Sequence, residues 1–292
     1  MKTLPNLKDK PYGGAWSVHD PETVEFVKNS TVSYPDINLK LFLDEYAQWA
    51  TTGHNLRSID DYANLSYCNG TTEAFDKFYH KHRDRRLRLW RGEYFYHQIQ
   101  AREIYDNNFA WIDDEPVGPM DVVVVSAPFS DTGNVPYNYD SVLSQCENLG
   151  VPVLVDMAYL NLTKGFSINL SYKCIQTVTT SLSKVFPVET HRIGIRMNRH
   201  NVDDTLSAYT NNSVPYVNNT SVHLGHQLIK QYNNLWLYYR YKFAQDKMCA
   251  QTDVVASDCV IFGIDVQDKW TEYNRGALTN RLCFSRLWDQ RI

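Results

Sequence analysis

Two short apolar runs do most to limit the folds open to this chain. Asp121–Val125 and Val151–Val155 are strings dominated by valine, and they run into Ser126 and Asp156. Each is too short for a helix, and its β-branched residues suit a strand buried on both faces. Between them Tyr137–Leu149 reads as a helix. Strand, helix and strand in alternation predict a mostly parallel α/β sheet flanked by helices. At 292 residues the chain can hold one large domain and a smaller one. A hydrophobic share of 43% supplies a sizeable core and argues against wholesale disorder.

The chemistry-bearing residues cluster after the second run. Asp156 ends it, and Tyr159 follows three positions later. A run of threonines then leads to Ser181, Ser183 and Lys184, with Arg192 eight positions beyond the lysine. In an open α/β sheet, ligands bind at the carboxyl ends of the strands, where these groups would converge. A partly desolvated lysine can form a Schiff base with an aldehyde. A buried carboxylate can keep a pyridine nitrogen protonated, and a tyrosine hydroxyl can bond a phenolic oxygen. Serine hydroxyls and an arginine fork suit a phosphate dianion. One ligand carries all of these features: pyridoxal 5'-phosphate (PLP). Taken singly, each residue has an ordinary reading. Lysine and arginine are usually surface charges, Asp156 could cap a helix, and Tyr159 could simply pack.

The segments VLVDMAY, SLSK and HRIG resemble those of class I/II aminotransferases, which are fold-type I PLP-dependent enzymes, and in motif style the histidinol-phosphate aminotransferase-like members. The resemblance spans about Tyr34 to Ser285 of a chain short for that family. It implies that Lys184 carries the cofactor, Asp156 meets the ring nitrogen and Tyr159 the phenolic oxygen. Ser181 and Arg192 would bind phosphate, with Ser183 beside them. Pro187 departs from the family's glycine but removes no ligand group. The turn Gly70-Thr71-Thr72, followed by Glu73-Ala74, looks like the family's phosphate cup, and free N–H groups at a helix start would serve it. Tyr94 aligns with an aromatic residue that stacks on the cofactor ring. Phe95 is second choice, and core packing of either stays open. Ser126–Gly133 resembles an Asn-Pro-x-Asn-Pro-Thr-Gly turn. There Ser130 replaces an asparagine that contacts the phenolic oxygen, and Asp131 replaces a proline. Tyr34, in Ser33-Tyr34-Pro35-Asp36, matches a tyrosine that reaches the partner subunit's cofactor, although a plain turn before a helix fits as well. Arg281, in Asn280–Ser285, matches the arginine that holds the substrate carboxylate, against a surface arginine on an edge strand.

The rest of the chain reads as follows. Met1–Ser33, broken by Pro5, Pro11, Gly13 and Gly14, suggests an arm or an extended entry strand. Leu39–Ala50 has helical apolar spacing, and a helix is expected from Thr71 to about His82. Lys81–Arg91 is basic, but alternation from Arg86 to Leu89 favours a strand with one wet face over a nucleic-acid site. Asn201–Asn219 looks loop-like, and Ser221–Ala250 reads as one long helix. The expected division is an arm with the first helix over 1–45, a large PLP-binding domain over 46–200 and a small domain over 201–292.

Composition narrows the classes further. A net charge of −4 points away from nucleic acid and anionic membranes. No apolar run is long enough to span a bilayer, and Met1–Gly14 lacks a signal-peptide core, so a cytoplasmic protein is expected. The six cysteines are scattered without a CxxC pair and read as reduced thiols, not as a disulfide or zinc framework. The resemblance thus implies an aminotransferase acting on an amino acid and a 2-oxo acid, as a homodimer with shared sites. Another PLP reaction (decarboxylation, elimination or racemisation) and a non-catalytic PLP-binding protein are the alternatives.

Overall fold

The computed structural model describes residues 7, 10–30 and 38–288. In chain order its strands are β1 (Asn55–Arg57), β2 (Asn64–Asn69), β3 (Arg86–Leu89), β4 (Phe109–Trp111), β5 (Asp121–Ser126) and β6 (Val153–Asp156), then β7 (Ser167–Asn169), β8 (Ile175–Ser181), β9 (Ile193–Asn198), β10 (Val255–Ala256), β11 (Phe262–Asp265) and β12 (Asn280–Cys283). The helices are α1 (Pro21–Asn29), α2 (Leu39–Thr51), α3 (Thr71–Lys81), α4 (Phe95–Glu103), α5 (Tyr139–Leu149), α6 (Thr205–Asn211), α7 (Asn219–Gln231) and α8 (Trp236–Thr252).

Seven strands form the main sheet in the order β2-β9-β8-β6-β5-β3-β4. The pairs from β4 through β3, β5 and β6 to β8 are parallel, while β9 runs against both β8 and β2. This is the mostly parallel α/β sheet that the valine runs predict. Val122, Val123, Val124 and Val125 are all fully buried, as strands covered on both faces require. Each such side chain contributes roughly 1.5–3 kcal/mol. A separate antiparallel sheet, β10-β11-β12, lies near the C-terminal end.

Helix α2 buries Leu39, Phe42, Leu43, Tyr46 and Ala50, the face its spacing announces. It packs against α7, which also lies on β9. Gly225 permits that approach: a Cβ there would come within 3.0 Å of Ile193 and 3.1 Å of Phe42.

Four expectations are corrected. The entry segment contains α1, started by Pro21 and capped by Asp20, whose carboxylate accepts from the Glu22 N–H. The polar stretch after residue 201 holds α6, where Asp204 accepts from the Ser207 N–H at 3.0 Å. The single long helix is two, α7 and α8, broken at Tyr232–Leu235. There Asn233 bonds the Leu235 N–H at 3.0 Å and Asn234 bonds the Thr52 carbonyl at 2.6 Å, so side chains compete with the helical ladder. Finally, β3 has no wet face at Arg88, which is fully buried. Its guanidinium bonds Asp121 at 2.5 Å and the carbonyls of Ala110, Trp111, Glu115 and Pro116. A buried charge is tolerable when it is paired and its donors are used, as here.

Candidate active site

The sheet places the proposed groups along one edge. Asn69 ends β2, Ser126 ends β5, Asp156 ends β6 and Ser181 ends β8, while β9 starts at the same edge with Ile193. Register confirms the alignment: Ser126 lies opposite Asp156, Ser181 opposite Gly194, and Asn69 opposite Ile193. Gly70, Tyr94, Ser130, Lys184 and Arg192 occupy the loops that leave or enter there. Tyr34 lies outside the described residues.

Lys184 ends a short 3-10 turn, Leu182–Lys184, directly after β8. It is half-buried, and its Nζ donates to the Ala15 carbonyl at 2.7 Å. Desolvation is the main force lowering its pKa from the usual lysine value, so its neutral amine is more populated than that of a surface lysine. Its Nζ also lies 5.8 Å from the centroid of the Tyr159 ring. Tyr159 is buried edge-on to Phe262, with ring centroids 5.4 Å apart, and burial raises its hydroxyl pKa.

Asp156 is buried, and its Oδ1 accepts from the Ala158 N–H at 3.0 Å and the Thr179 hydroxyl at 3.4 Å. Its Oδ2 is 3.7 Å from Nε2 of His97, a fully buried residue in α4. Tyr79 contacts Nδ1 of the same ring, and burial keeps the Tyr79 hydroxyl protonated. The His97 ring thus stands between the Tyr79 hydroxyl, which meets Nδ1, and the Asp156 carboxylate, which Nε2 faces. Tyr94 stands edge-on to His97 at 5.5 Å. His97 was not among the residues singled out from sequence. Its signal is position: three residues after Tyr94, one turn into a helix, on the same face.

The anion seat is built around the start of α3. Gly70 has φ +73°, and a Cβ there would fall 2.2 Å from Arg192 Nη2, so only glycine leaves room for the guanidinium. Arg192 itself has φ +56° and donates to the Thr72 hydroxyl at 2.9 Å. The opening N–H groups of α3, at Thr71 and Thr72, precede any intrahelical acceptor and favour an anion. Ser181 is occupied in bracing the turn: its hydroxyl donates to the Ile193 carbonyl at 3.1 Å and accepts from the Ser183 N–H at 3.1 Å. Ser183 offers a buried hydroxyl without a hydrogen-bond partner.

The Ser126–Gly133 turn is held by Glu93, another residue not singled out from sequence. Glu93 accepts from the Ser126 hydroxyl, from the Ser126 N–H at 2.9 Å and from the Tyr94 N–H at 2.7 Å. Burial, the largest influence, raises its pKa above the usual glutamate value. Ser130 donates its N–H to Ser126 at 2.8 Å, its own hydroxyl is buried without a partner, and its carbonyl accepts from Arg281 at 2.5 Å. Arg281 is almost fully buried, not a surface arginine, with its guanidinium 4.5 Å over Phe262. The entry segment crosses this region. Gly13 accepts from Arg281 at 3.2 Å, Ala15 from Lys184, and the Ser17 hydroxyl donates to the Ser183 carbonyl.

No protein-family model matches the sequence, and no curated protein matches it. Solved structures do match by shape. A PLP-bound C–S lyase from Staphylococcus hominis, complexed with L-cycloserine, superposes with a TM-score of 0.66 and 11% identity, over 96% of this chain and 86% of that one. L-threonine-O-3-phosphate decarboxylase from Porphyromonas gingivalis gives 0.63 and 14%, over 93% of each chain. Histidinol-phosphate aminotransferase from Clostridium acetobutylicum gives 0.61 and 13%, over 87% of this chain and 81% of that one. At such identities the likeness concerns the backbone and not the reaction. The chain has the fold of the fold-type I PLP-dependent enzymes.

Proposed function

We propose that this protein is a PLP-dependent aminotransferase, moving an amino group between an amino acid and a 2-oxo acid. The reading is carried by the convergence of Lys184, Asp156, Tyr159 and Arg192 on one sheet edge. Orphaned buried atoms there support a polar ligand of several parts: Ser130 Oγ, Ser183 Oγ and Arg281 Nε all lack hydrogen-bond partners among the described residues. PLP, when bound, supplies an aldehyde for amines and a ring that accepts electrons from the substrate's Cα.

The side chains divide the work. Lys184 Nζ would hold the cofactor and would serve as the general base that takes the proton from the substrate's Cα. To do either it leaves the Ala15 carbonyl. Asp156 would meet the ring nitrogen and favour its protonated form, with His97 standing behind the carboxylate. Tyr159 and Ser130 would hold the phenolic oxygen, and Tyr94 would cover the ring. Gly70, Thr71, Thr72, Ser181, Ser183 and Arg192 form the phosphate seat, in which Ser183 has the free hydroxyl. Arg281 takes the substrate carboxylate. A homodimer in which Tyr34 reaches the other subunit's cofactor completes the reading. The six buried cysteines take no part in it. No helix among the described residues is long and apolar enough to cross a membrane.

A different PLP reaction is the second reading, favoured by the lyase and the decarboxylase among the structural matches. The half-reaction separates the two. The protein, loaded with PLP and given a panel of amino acids without any oxo-acid acceptor, is expected to accumulate pyridoxamine phosphate and one equivalent of oxo acid. Sustained release of ammonia or carbon dioxide, or inversion at Cα, with PLP regenerated each time, would overturn transamination.

A further inference from the structure

Two guanidinium groups converge on one backbone oxygen close to Tyr159. Arg281 Nη1 donates to the Ser130 carbonyl at 2.5 Å, and Arg275 Nη1 reaches the same oxygen at 3.4 Å. Arg275 lies in the loop before β12. Asn274 fixes that loop, bonding the carbonyls of Ala277 and Thr279 and the Gly276 N–H. Burial, and then the neighbouring Arg281, push the Arg275 pKa down to about 10. Both cations act electrostatically on Tyr159.

Among the described residues, neither arginine has a carboxylate within ion-pair distance. Asp131 acts on both electrostatically, yet its Oδ2 accepts from the Thr279 hydroxyl at 2.8 Å and its Oδ1 has no partner. Two like charges converging in a desolvated place are unfavourable unless an anion joins them. The donors show how it would be shared. Arg281 commits Nη1 and Nη2 to the carbonyls of Ser130 and Gly13 and keeps Nε free. Arg275 spends one long bond and has the larger number of donors to offer. A carboxylate, with two oxygens and several lone pairs, can accept from both.

We propose that Arg275 is a second carboxylate-binding arginine, seating the α-carboxylate of the amino-acid substrate jointly with Arg281. Asp131 is the internal anion that competes with that carboxylate. This rests on the aminotransferase reading and adds a residue to its substrate site.

The probe is propionate, a carboxylate with no amine to react with PLP, titrated by calorimetry into the protein with and without PLP. Arg275→Met is expected to weaken propionate binding at least tenfold, as is Arg281→Met, while PLP affinity stays within twofold of wild type. Arg275→Lys restores only part of the loss, because an ammonium lacks the planar fork. Asp131→Asn is expected to tighten propionate several-fold. If Arg275 merely balanced Asp131, the same change would leave binding unaltered or weaken it. Propionate affinity within twofold of wild type in Arg275→Met, unaltered or weaker binding in Asp131→Asn, or no binding by the wild type would each overturn the proposal. A wild type that binds propionate but acquires no visible band with PLP would overturn the cofactor reading instead, and the variants without PLP still decide the role of Arg275.

Discussion

Lys184→Ala is expected to abolish covalent attachment of PLP and to lower turnover by several orders of magnitude. The lysine supplies the only chemistry in this account that bonds the cofactor, and it also moves the substrate's proton. Folding should survive the change. In the described structure the side chain makes one hydrogen bond, to the Ala15 carbonyl, and an intramolecular bond of this kind contributes about 1 kcal/mol. Near-wild-type thermal unfolding, together with loss of the visible absorption that PLP acquires on bonding to a lysine, is the combination to look for. A visible band in the variant equal to that of the wild type would remove Lys184 from its role.

Asp156→Asn is the second large effect. The amide keeps an oxygen for the Ala158 N–H and the Thr179 hydroxyl, and only the side facing His97 Nε2 changes from oxygen to NH2. It carries no charge, and so loses the force that keeps a pyridine nitrogen protonated, an effect that opposite charges at close range exert over one to three pKa units. Turnover should fall at least about 10²-fold, the scale seen when one preorganised electrostatic contact at a reacting centre is removed. Cofactor attachment at Lys184 persists, because the lysine is untouched. Steady-state rates within tenfold of wild type would show that Asp156 does not face the ring.

Much of the centre of this molecule is legible in the order of its residues. The valine runs give β5 and β6 because their side chains find apolar cover on both faces, and alternation with helices leaves a parallel sheet as the economical arrangement. Asp156, Ser181, Lys184 and Arg192 are readable because they stand at strand ends, where backbone geometry fixes position from sequence spacing. What spacing does not carry is contact between distant segments. His97 joins Asp156 across the gap between α4 and β6. Glu93 holds a turn more than thirty residues away, and Ala15 meets Lys184 from the opposite end of the chain. Arg275 lies in the loop before β12, where no spacing marks it, and its significance appears once the Ser130 carbonyl is known to accept from both arginines. Arg88 was misread for a related reason. Alternation predicts a wet face, but the carboxylate of Asp121 and four carbonyls satisfy a buried guanidinium that an isolated strand could not. The break between α7 and α8 was missed because Tyr232–Leu235 contains no glycine or proline. The Asn233-Asn234 pair ends the helix by side-chain bonding alone.

The measurement that tests the central claim most directly is the site of cofactor attachment. The wild-type protein is incubated with PLP, reduced with borohydride, digested and mapped by mass spectrometry. A single reduced pyridoxyl adduct on Lys184, at close to one per chain, is the predicted result. An adduct on another lysine, or none at saturating PLP, would contradict it and leave the sheet edge without its cofactor.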